Sequence, residues 1–165
     1  MNKRAMVAAL KTELQAQTWT GGSNKVFGGG SVIVTTYAEL NAVLAYCQSP
    51  FAVIMVGEAQ CDPQFGEEPE LLVVPITVRI GTVTPGETLG ENPLMGANRP
   101  SSTRSEGAGL YQIEQEVYNA IGKLNDLESI TIQNRQIGQA GAIVTEDKKY
   151  IAYEDLRFEA VCTVV

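Results

Sequence analysis

Three stretches of the chain place an apolar residue every three or four positions, which is the spacing of an amphipathic helix. The first covers residues 2–17 and the third covers residues 110–124. The second follows Thr36, which has the spacing of a capping box with Glu39, and stops before Pro50. The apolar positions of these helices are Met6, Leu10 and Leu14; Leu40, Val43, Leu44 and Cys47; and Leu110, Ile113, Val117, Ile121 and Leu124.

The other apolar segments have the residues and the two-residue period of β-strands. Val32–Thr35 is a short β-branched strand, and the continuous apolar run 51–56 predicts a central strand that is covered on both faces. Residues 71–83 alternate in their later half, which predicts a strand with one solvated face. Residues 129–139 form a further strand, and the last one, 156–165, places Phe158, Ala160, Cys162 and Val164 on one face.

Two connections between these elements stand out. Residues 20–31 are rich in glycine and serine, and we expect a flexible connection there. Residues 84–109 have no apolar period and contain many Pro, Gly and Ser residues, so we expect a long flexible loop. Loops of this length inside a compact domain are usually functional or disordered.

The order of elements predicts one α/β (α+β) domain over residues 1–165. Consecutive strands without helical crossovers favour a mostly antiparallel or mixed sheet, with two or three helices packed on one face. The length of 165 residues suits a single domain, and the hydrophobic fraction of 44% is that of a folded protein.

The charge and cysteine content limit the partners and the compartment. The net charge is −7, so no overall basic field attracts nucleic acid or anionic membranes. Three cysteines without a CxxC motif indicate reduced thiols rather than a disulfide framework. Lys11 and Glu13 interrupt the apolar positions after the basic start, so we expect no signal peptide and a cytoplasmic product.

The residues that usually carry catalysis are not arranged for it in this sequence. The chain contains no histidine, which removes the usual triads and the commonest transition-metal ligand. Cys47 and Cys162 lie on apolar faces of predicted elements, where packing is their usual role. Gly28–Ser31 precedes a strand and lacks the lysine of a phosphate-binding loop. We therefore expect no enzyme, no catalytic residues, no cofactor and no metal.

Two clusters of charged residues remain as candidate sites. Asp62, Glu67, Glu68 and Glu70 could form a small metal- or ligand-binding module in the loop 62–70, although solvated acidic loops are more common. Arg99 and Arg104 lie in the long loop, and Arg79 lies on the strand that leads to it. Because arginine suits interfacial pairing with carboxylates, we predict a subunit or partner interface at these three arginines.

The whole layout resembles a known family. An amphipathic N-terminal helix precedes a Gly-rich turn, and a capped helix leads to the run Pro50–Val56. A long strand then enters an extended loop, a helix follows, and the chain closes on the strand Leu156–Val164. This order is similar to that of tail terminator (tail completion, minor tail) proteins of tailed bacteriophages.

The resemblance implies a structural virion protein rather than an enzyme. Members of that family form a hexameric ring that terminates the tail tube and joins the tail to the neck or head. The implied partners are copies of the chain, the tail tube protein, a neck or head-completion protein, and DNA that passes through the lumen without specific binding. A neck, head–tail joining or tail-tube subunit is the alternative within the virion, and the acidic module is the alternative of another class.

Overall fold

The computed structural model describes residues 2–40, 44, 46–61, 71–85, 94–96, 108–127, 130–144 and 149–163. Two α-helices, two short 3-10 helices and seven strands are assigned within these ranges. The α-helices are α1 (Lys3–Ala16) and α2 (Leu110–Lys123), and the 3-10 helices are Tyr37–Glu39 and Leu124–Asp126. The strands are β1 (Val32–Thr35), β2 (Phe51–Val56), β3 (Gln60–Cys61), β4 (Leu71–Pro85), β5 (Thr131–Ile137), β6 (Gly141–Val144) and β7 (Lys149–Thr163).

The described strands form one mixed sheet in the order β1-β2-β4-β7-β5. β1 and β2 are parallel, and the other pairs are antiparallel. β4 and β7 form the long centre of the sheet, with Leu71 opposite Thr163 and Pro85 opposite Lys149. β3 extends the β2 side of β4, and β6 extends the β5 side of β7. The predicted α+β class with a mixed sheet is therefore confirmed.

Both helices pack on the same face of the sheet, which we call the helix face. Met6, Leu10 and Leu14 of α1 are fully buried. They share one apolar core with Leu110, Ile113, Val117 and Ile121 of α2 and with the even-numbered side chains of β2, β4 and β7. The spacing of three and four along each helix therefore does mark the buried side, as the sequence predicts.

Each helix begins where a polar group can satisfy its first free amide groups. The Asn2 side chain accepts a hydrogen bond from the Ala5 amide at 2.9 Å, so α1 has an ordinary N-cap. The α2 helix begins after Gly109, whose amide donates to the Gln112 side chain at 3.0 Å. In the sequence, the only sign of these two helix starts is the type of residue at each cap, asparagine before α1 and glycine before α2.

The second predicted helix, which follows Thr36, differs from the prediction where the structure describes it, and residues 41–43 and 45 lie outside the described residues. Leu40 and Leu44 are buried, as its apolar stripe requires, but they pack against Phe51, Val53 and Met55 on the opposite face of the sheet. Thr36 caps nothing with its side chain, so the predicted capping box is wrong. The Glu39 carboxylate instead accepts a hydrogen bond from the Thr35 hydroxyl at 3.2 Å.

The glycine-rich segment 20–31 is not the flexible connection that its composition suggests. Trp19, Val26 and Phe27 are buried in the main core. The backbone amide of Val26 donates to the Gln17 carbonyl at 3.0 Å, which closes the loop. A few apolar residues among the glycines therefore suffice to fix the segment.

The long loop also has a fixed part where the structure describes it. Residues 94–96 contact the start of α2 so closely that a Cβ atom at Gly109 would overlap their backbone. Leu94 packs against the main core, while Met95 is 52% exposed. Residues 94–96 of the predicted loop 84–109 are therefore anchored, β4 extends to Pro85, and residues 86–93 and 97–107 lie outside the described residues. In the part of the chain that is described, no helix has the length and apolarity needed to span a bilayer.

Candidate interaction surface

The second face of the sheet is only partly covered by the described residues. Leu40 and Leu44 cover its β2 end, together with Ile151. Beyond them, β4, β7 and β5 present a set of polar side chains that we call the open polar face. Its members are Thr77 and Arg79 of β4; Tyr153, Asp155, Arg157 and Glu159 of β7; and Gln133 and Asn134 of β5.

A bidentate ion pair lies at the centre of the open polar face. Arg79 and Asp155 are directly opposite each other on β4 and β7. Arg79 Nε donates to Asp155 Oδ1 at 2.7 Å, and its Nη2 donates to Oδ2 at 3.0 Å. The guanidinium carbon also lies 4.5 Å from the centre of the Tyr153 ring, within the range of a cation–π contact. The Asp155 carboxylate and the Tyr153 ring therefore fix the arginine in one orientation.

The ion pair controls the charge state of both partners. Burial alone would raise the pKa of Asp155, but the hydrogen bonds and charge of Arg79, with a smaller contribution from Arg157, lower it below its usual value. The hydrogen bond to Asp155 raises the pKa of Arg79 against the opposing effect of burial. Both groups consequently stay ionised around neutral pH.

A second layer of polar groups surrounds this pair. Arg157 approaches Asp155 at 3.4 Å and leaves 62% of its side chain exposed. Glu159 accepts hydrogen bonds from Asn134 at 2.6 Å and from Gln133 at 3.1 Å. The surface thus offers an exposed cation beside an anchored carboxylate, with amide groups at its edge.

A shallow depression of about 350 Å³ lies between these strands and the turn after β1. Tyr37 forms one wall, and its hydroxyl lies 2.7 Å from the hydroxyl of Thr77. Tyr37 is also 56% exposed, so an aromatic ring borders the polar groups. Aromatic rings and arginines that are held in place are the residues that protein interfaces favour.

The open polar face owes its position to strand alternation. The even-numbered residues of β4 and β7 face the helices, so the odd-numbered residues must face the other way. The alternation of Thr77, Arg79 and Gly81 with Ile76, Val78 and Ile80 is therefore confirmed. The prediction of a solvated face is wrong at Thr77, which is 6% exposed, and at Gly81, which is also buried.

Only one of the predicted interface residues lies in the described ranges. Arg79 is in the middle of β4 rather than at the root of the long loop, and its guanidinium is engaged by Asp155. Arg99 and Arg104 lie outside the described residues, so the structure does not bring the three arginines together. The acidic cluster Asp62, Glu67, Glu68 and Glu70 also lies outside them.

The cysteines occupy three different environments. Cys162 is buried in the main core and Cys47 is half-buried, while Cys61 is exposed on β3. Burial raises the pKa of both the Cys162 and the Cys47 thiols. The described residues contain no group of three or more His, Cys, Asp or Glu side chains that could hold a metal ion.

Two glutamates are buried on the helix face, and neither was predicted as a functional residue from the sequence. Glu116 of α2 accepts hydrogen bonds from the Gln17 side chain at 2.8 Å and from the Thr20 amide at 2.7 Å. Glu154 of β7 faces Glu114 of α2 and is 3% exposed. The first glutamate anchors the segment after α1, and the second is a titratable group inside the core.

A signal for some of the missed residues was present in the sequence. The alternation predicted for residues 156–165 continues backwards to residue 154, which places Glu154 on the same side as Leu156 and Phe158. The pairing of Asp155 with Arg79 has no comparable signal, because it depends on the register between two distant strands.

We also compared the sequence with known proteins. Neither the models of protein families nor the curated proteins give a match to this chain.

Proposed function

We propose that the chain is a structural virion protein of a tailed bacteriophage, which forms a ring at the end of the tail tube. The ring stops tube polymerisation and joins the tail to the neck or head. The proposal rests on the resemblance in the order of elements to tail terminator proteins. It is supported by the confirmed α+β fold with a mixed sheet.

The observation that carries the proposal is the open polar face. Its side chains stand on three neighbouring strands and are fixed by the two hydrogen bonds between Arg79 and Asp155. A rigid polar array loses little conformational entropy when a partner binds. Arg157 and Tyr37 remain exposed for such a contact. We assign the tail tube protein as the partner of this surface.

The net charge of −7 per subunit is compatible with a DNA passage. Repeated around a ring, acidic subunits produce a negative field that opposes adhesion of the phosphate backbone. DNA would then pass through the lumen without a specific site. Assembly of the ring would precede its incorporation at the tail–neck junction of the virion.

The decisive experiment combines the purified protein with preformed tail tubes. We expect rings of the protein alone in negative-stain electron micrographs, and capped tubes of unchanged length when tube protein is added afterwards. Self-polymerisation of the purified chain into tubes would instead identify a tube subunit. Rings that bind only neck proteins would identify a neck subunit, and a chain that binds neither partner would contradict the proposal.

A charge reversal tests the role of the open polar face. Arg157→Glu should weaken tube capping, because it removes the most exposed cation of this surface and places a carboxylate beside Asp155. Arg4→Glu on α1 is the matched control, since Arg4 is also exposed but lies away from the surface. Equal capping by both variants would show that the tube binds elsewhere.

A further inference from the structure

The outer edge of β1 is unprotected. β1 is the end of the strand order among the described residues, so its outer side carries no strand in that part of the chain. Its sequence, Val32–Thr35, has no charge, no proline and no bulge. Exposed edges of soluble proteins usually carry such features, because bare edges add strands from other chains.

The hydrogen bonds of β1 show which of its amides point outward. Ser31 accepts a hydrogen bond from the Ala52 amide at 2.9 Å, so the carbonyl of Ser31 points to β2. In a parallel pair the backbone groups of successive residues point alternately to either side of the strand. The backbone groups of Ile33, two residues after Ser31, therefore also point to β2. The backbone groups of Val32 and Val34 therefore point away from the sheet. The Val34 side chain is itself 42% exposed.

The opposite edge of the sheet consists of two strands, β5 and β6, which differ in how well they are protected against the addition of a further strand. β5 has a register shift between Gln133 and Gln136, with Asn134 at a φ of 53°, and such a bulge discourages strand addition. β6, with the sequence Gly141–Val144, is uncharged and pairs with β7 in continuous register. Ile143 is 37% exposed on this strand. Within the described ranges, the second edge without such protection is therefore β6.

The directions of the two edges are complementary. β1 runs parallel to β2, and three antiparallel pairings, β2 with β4, β4 with β7 and β7 with β6, follow across the sheet. β6 consequently runs opposite to β1. A second copy in the same orientation would align its β6 antiparallel to β1 of the first, and antiparallel pairing is the more stable kind.

We propose that copies of this chain associate by adding β6 of one subunit to β1 of the next, which continues the sheet across the subunit boundary. The contact is heterologous, because different surfaces meet, and repeated contacts of this kind form a ring when the rotation between neighbouring subunits closes. Both strands are uncharged, so they can approach despite the net charge of −7 on each subunit. The inference rests on the proposed function for the ring itself, and it names the surface that builds it.

Two substitutions block one edge each. Val34→Pro removes an outward amide without removing a hydrogen bond between β1 and β2, which is the edge position where proline is tolerated. Ile143→Lys places a charge on β6. We expect each variant to assemble at least tenfold more weakly than the wild type in sedimentation velocity, while Val34→Thr and Ile143→Thr, which keep the amide and add no charge, still assemble.

Mixing the two blocked variants tests that the contact is heterologous. Val34→Pro retains a competent β6, and Ile143→Lys retains a competent β1. A mixture should therefore form heterodimers that stop at two subunits. Dimers of Ile143→Lys alone would indicate pairing of β1 with itself and would overturn the proposal.

Hydrogen exchange of the wild-type protein gives a second measurement that needs no variant. The amides of Val32 and Val34 and the β6 segment should exchange at least tenfold more slowly in the assembled protein than in dilute monomer. Unchanged exchange, or rings of Val34→Pro as stable as those of the wild type, would overturn the edge pairing and leave the proposed function standing. A Val34→Pro ring that no longer caps tubes would assign the β1 edge to a strand of the tube protein instead. A wild-type chain that stays monomeric at high concentration would overturn both.

Discussion

The carboxyl group of Glu154 on β7 faces the carboxyl group of Glu114 on α2 across the interface between sheet and helix. Glu154 is 3% exposed, and its Oε2 atom has no hydrogen-bond partner among the described residues. Burial first, then the charge and hydrogen bond of Glu114, and then the charge of Asp155 raise the pKa of Glu154 to about 7. The core therefore holds a carboxyl group that exchanges its proton near neutral pH.

This raised pKa predicts the pH dependence of stability. The neutral carboxyl is favoured in the folded state, so its contribution is complete below the unfolded pKa of about 4.5 and is lost as the pH rises through about 7. Glu154→Gln, which stays neutral, should raise the free energy of unfolding at pH 8 by on the order of 1–3 kcal/mol. It should also flatten the pH profile between pH 5 and 8.

Urea denaturation at several pH values measures this effect. Glu58→Gln is the matched control, because Glu58 is an exposed glutamate for which no such gain is expected. A Glu154→Gln protein that keeps the wild-type slope between pH 5 and 8 would show that another group titrates there.

Glu154 also illustrates how far the sequence predicts the fold. Alternation and helical periodicity depend on local spacing, so they correctly predict α1, α2, β2, β4 and the faces of β7. The side of the sheet that Leu40 and Leu44 cover is not local information. It depends on which face still has uncovered apolar residues after α1 and α2 have packed, and here these are Phe51, Val53 and Met55.

Gly81 lies opposite Phe51 on β4 and β2, and its missing side chain leaves space for the phenyl ring. A Cβ atom at Gly81 would overlap that ring and would lie 2.8 Å from the Ala152 carbonyl oxygen. Gly81→Ala should therefore lower the free energy of unfolding by about 1–3 kcal/mol, the usual cost of overpacking. Gly29→Ala, where a Cβ atom meets nothing within 4 Å, is the control for urea denaturation. Equal stability of the two variants would contradict the close contact.

The hydrogen bonds of Glu116 should hold the segment after α1 in place. Glu116→Ala would remove the side-chain acceptor of the Thr20 amide and one of the two acceptors of the Gln17 side-chain amide, which also donates to the Thr18 carbonyl. We expect a loss of about 1–3 kcal/mol in the free energy of unfolding. Glu116→Gln should cost less, because one amide oxygen can still accept. Trp19, the single tryptophan of the chain, is 3% exposed and reports on this segment through its fluorescence.

We expect a red shift of that fluorescence in Glu116→Ala under native conditions. Gln115→Ala on the exposed side of the same helix is the control. An unchanged spectrum together with unchanged stability would mean that Glu116 does not hold the segment.

The candidate surface was less predictable than the fold for a physical reason. Alternation in the sequence places Arg79 on the strand face opposite to Ile76, Val78 and Ile80, but its partner is 76 positions away. Nothing local specifies that Asp155 rather than Glu154 or Glu159 lies opposite. Strand register decides it, and a shift of one residue would place Glu154 on the open polar face.

The ion pair between Arg79 and Asp155 should contribute measurably to stability, since the two side chains are only 18% and 13% exposed. A double-mutant cycle of Arg79→Ala and Asp155→Ala should give a coupling energy of about 1–3 kcal/mol. Arg157→Ala is the comparison, because the Arg157 side chain is 62% exposed, and it should lower the free energy of unfolding by less than about 1 kcal/mol. Because the pKa of Asp155 is lowered, this contribution is present above its unfolded value of 3.8 and is lost as the pH falls further, opposite in sign to the effect of Glu154. Urea denaturation of the four proteins at pH 7 and pH 3 measures both quantities. A coupling energy of only a few tenths of a kcal/mol at pH 7 would show that solvent screens the pair and that the open polar face is less rigid than its geometry indicates.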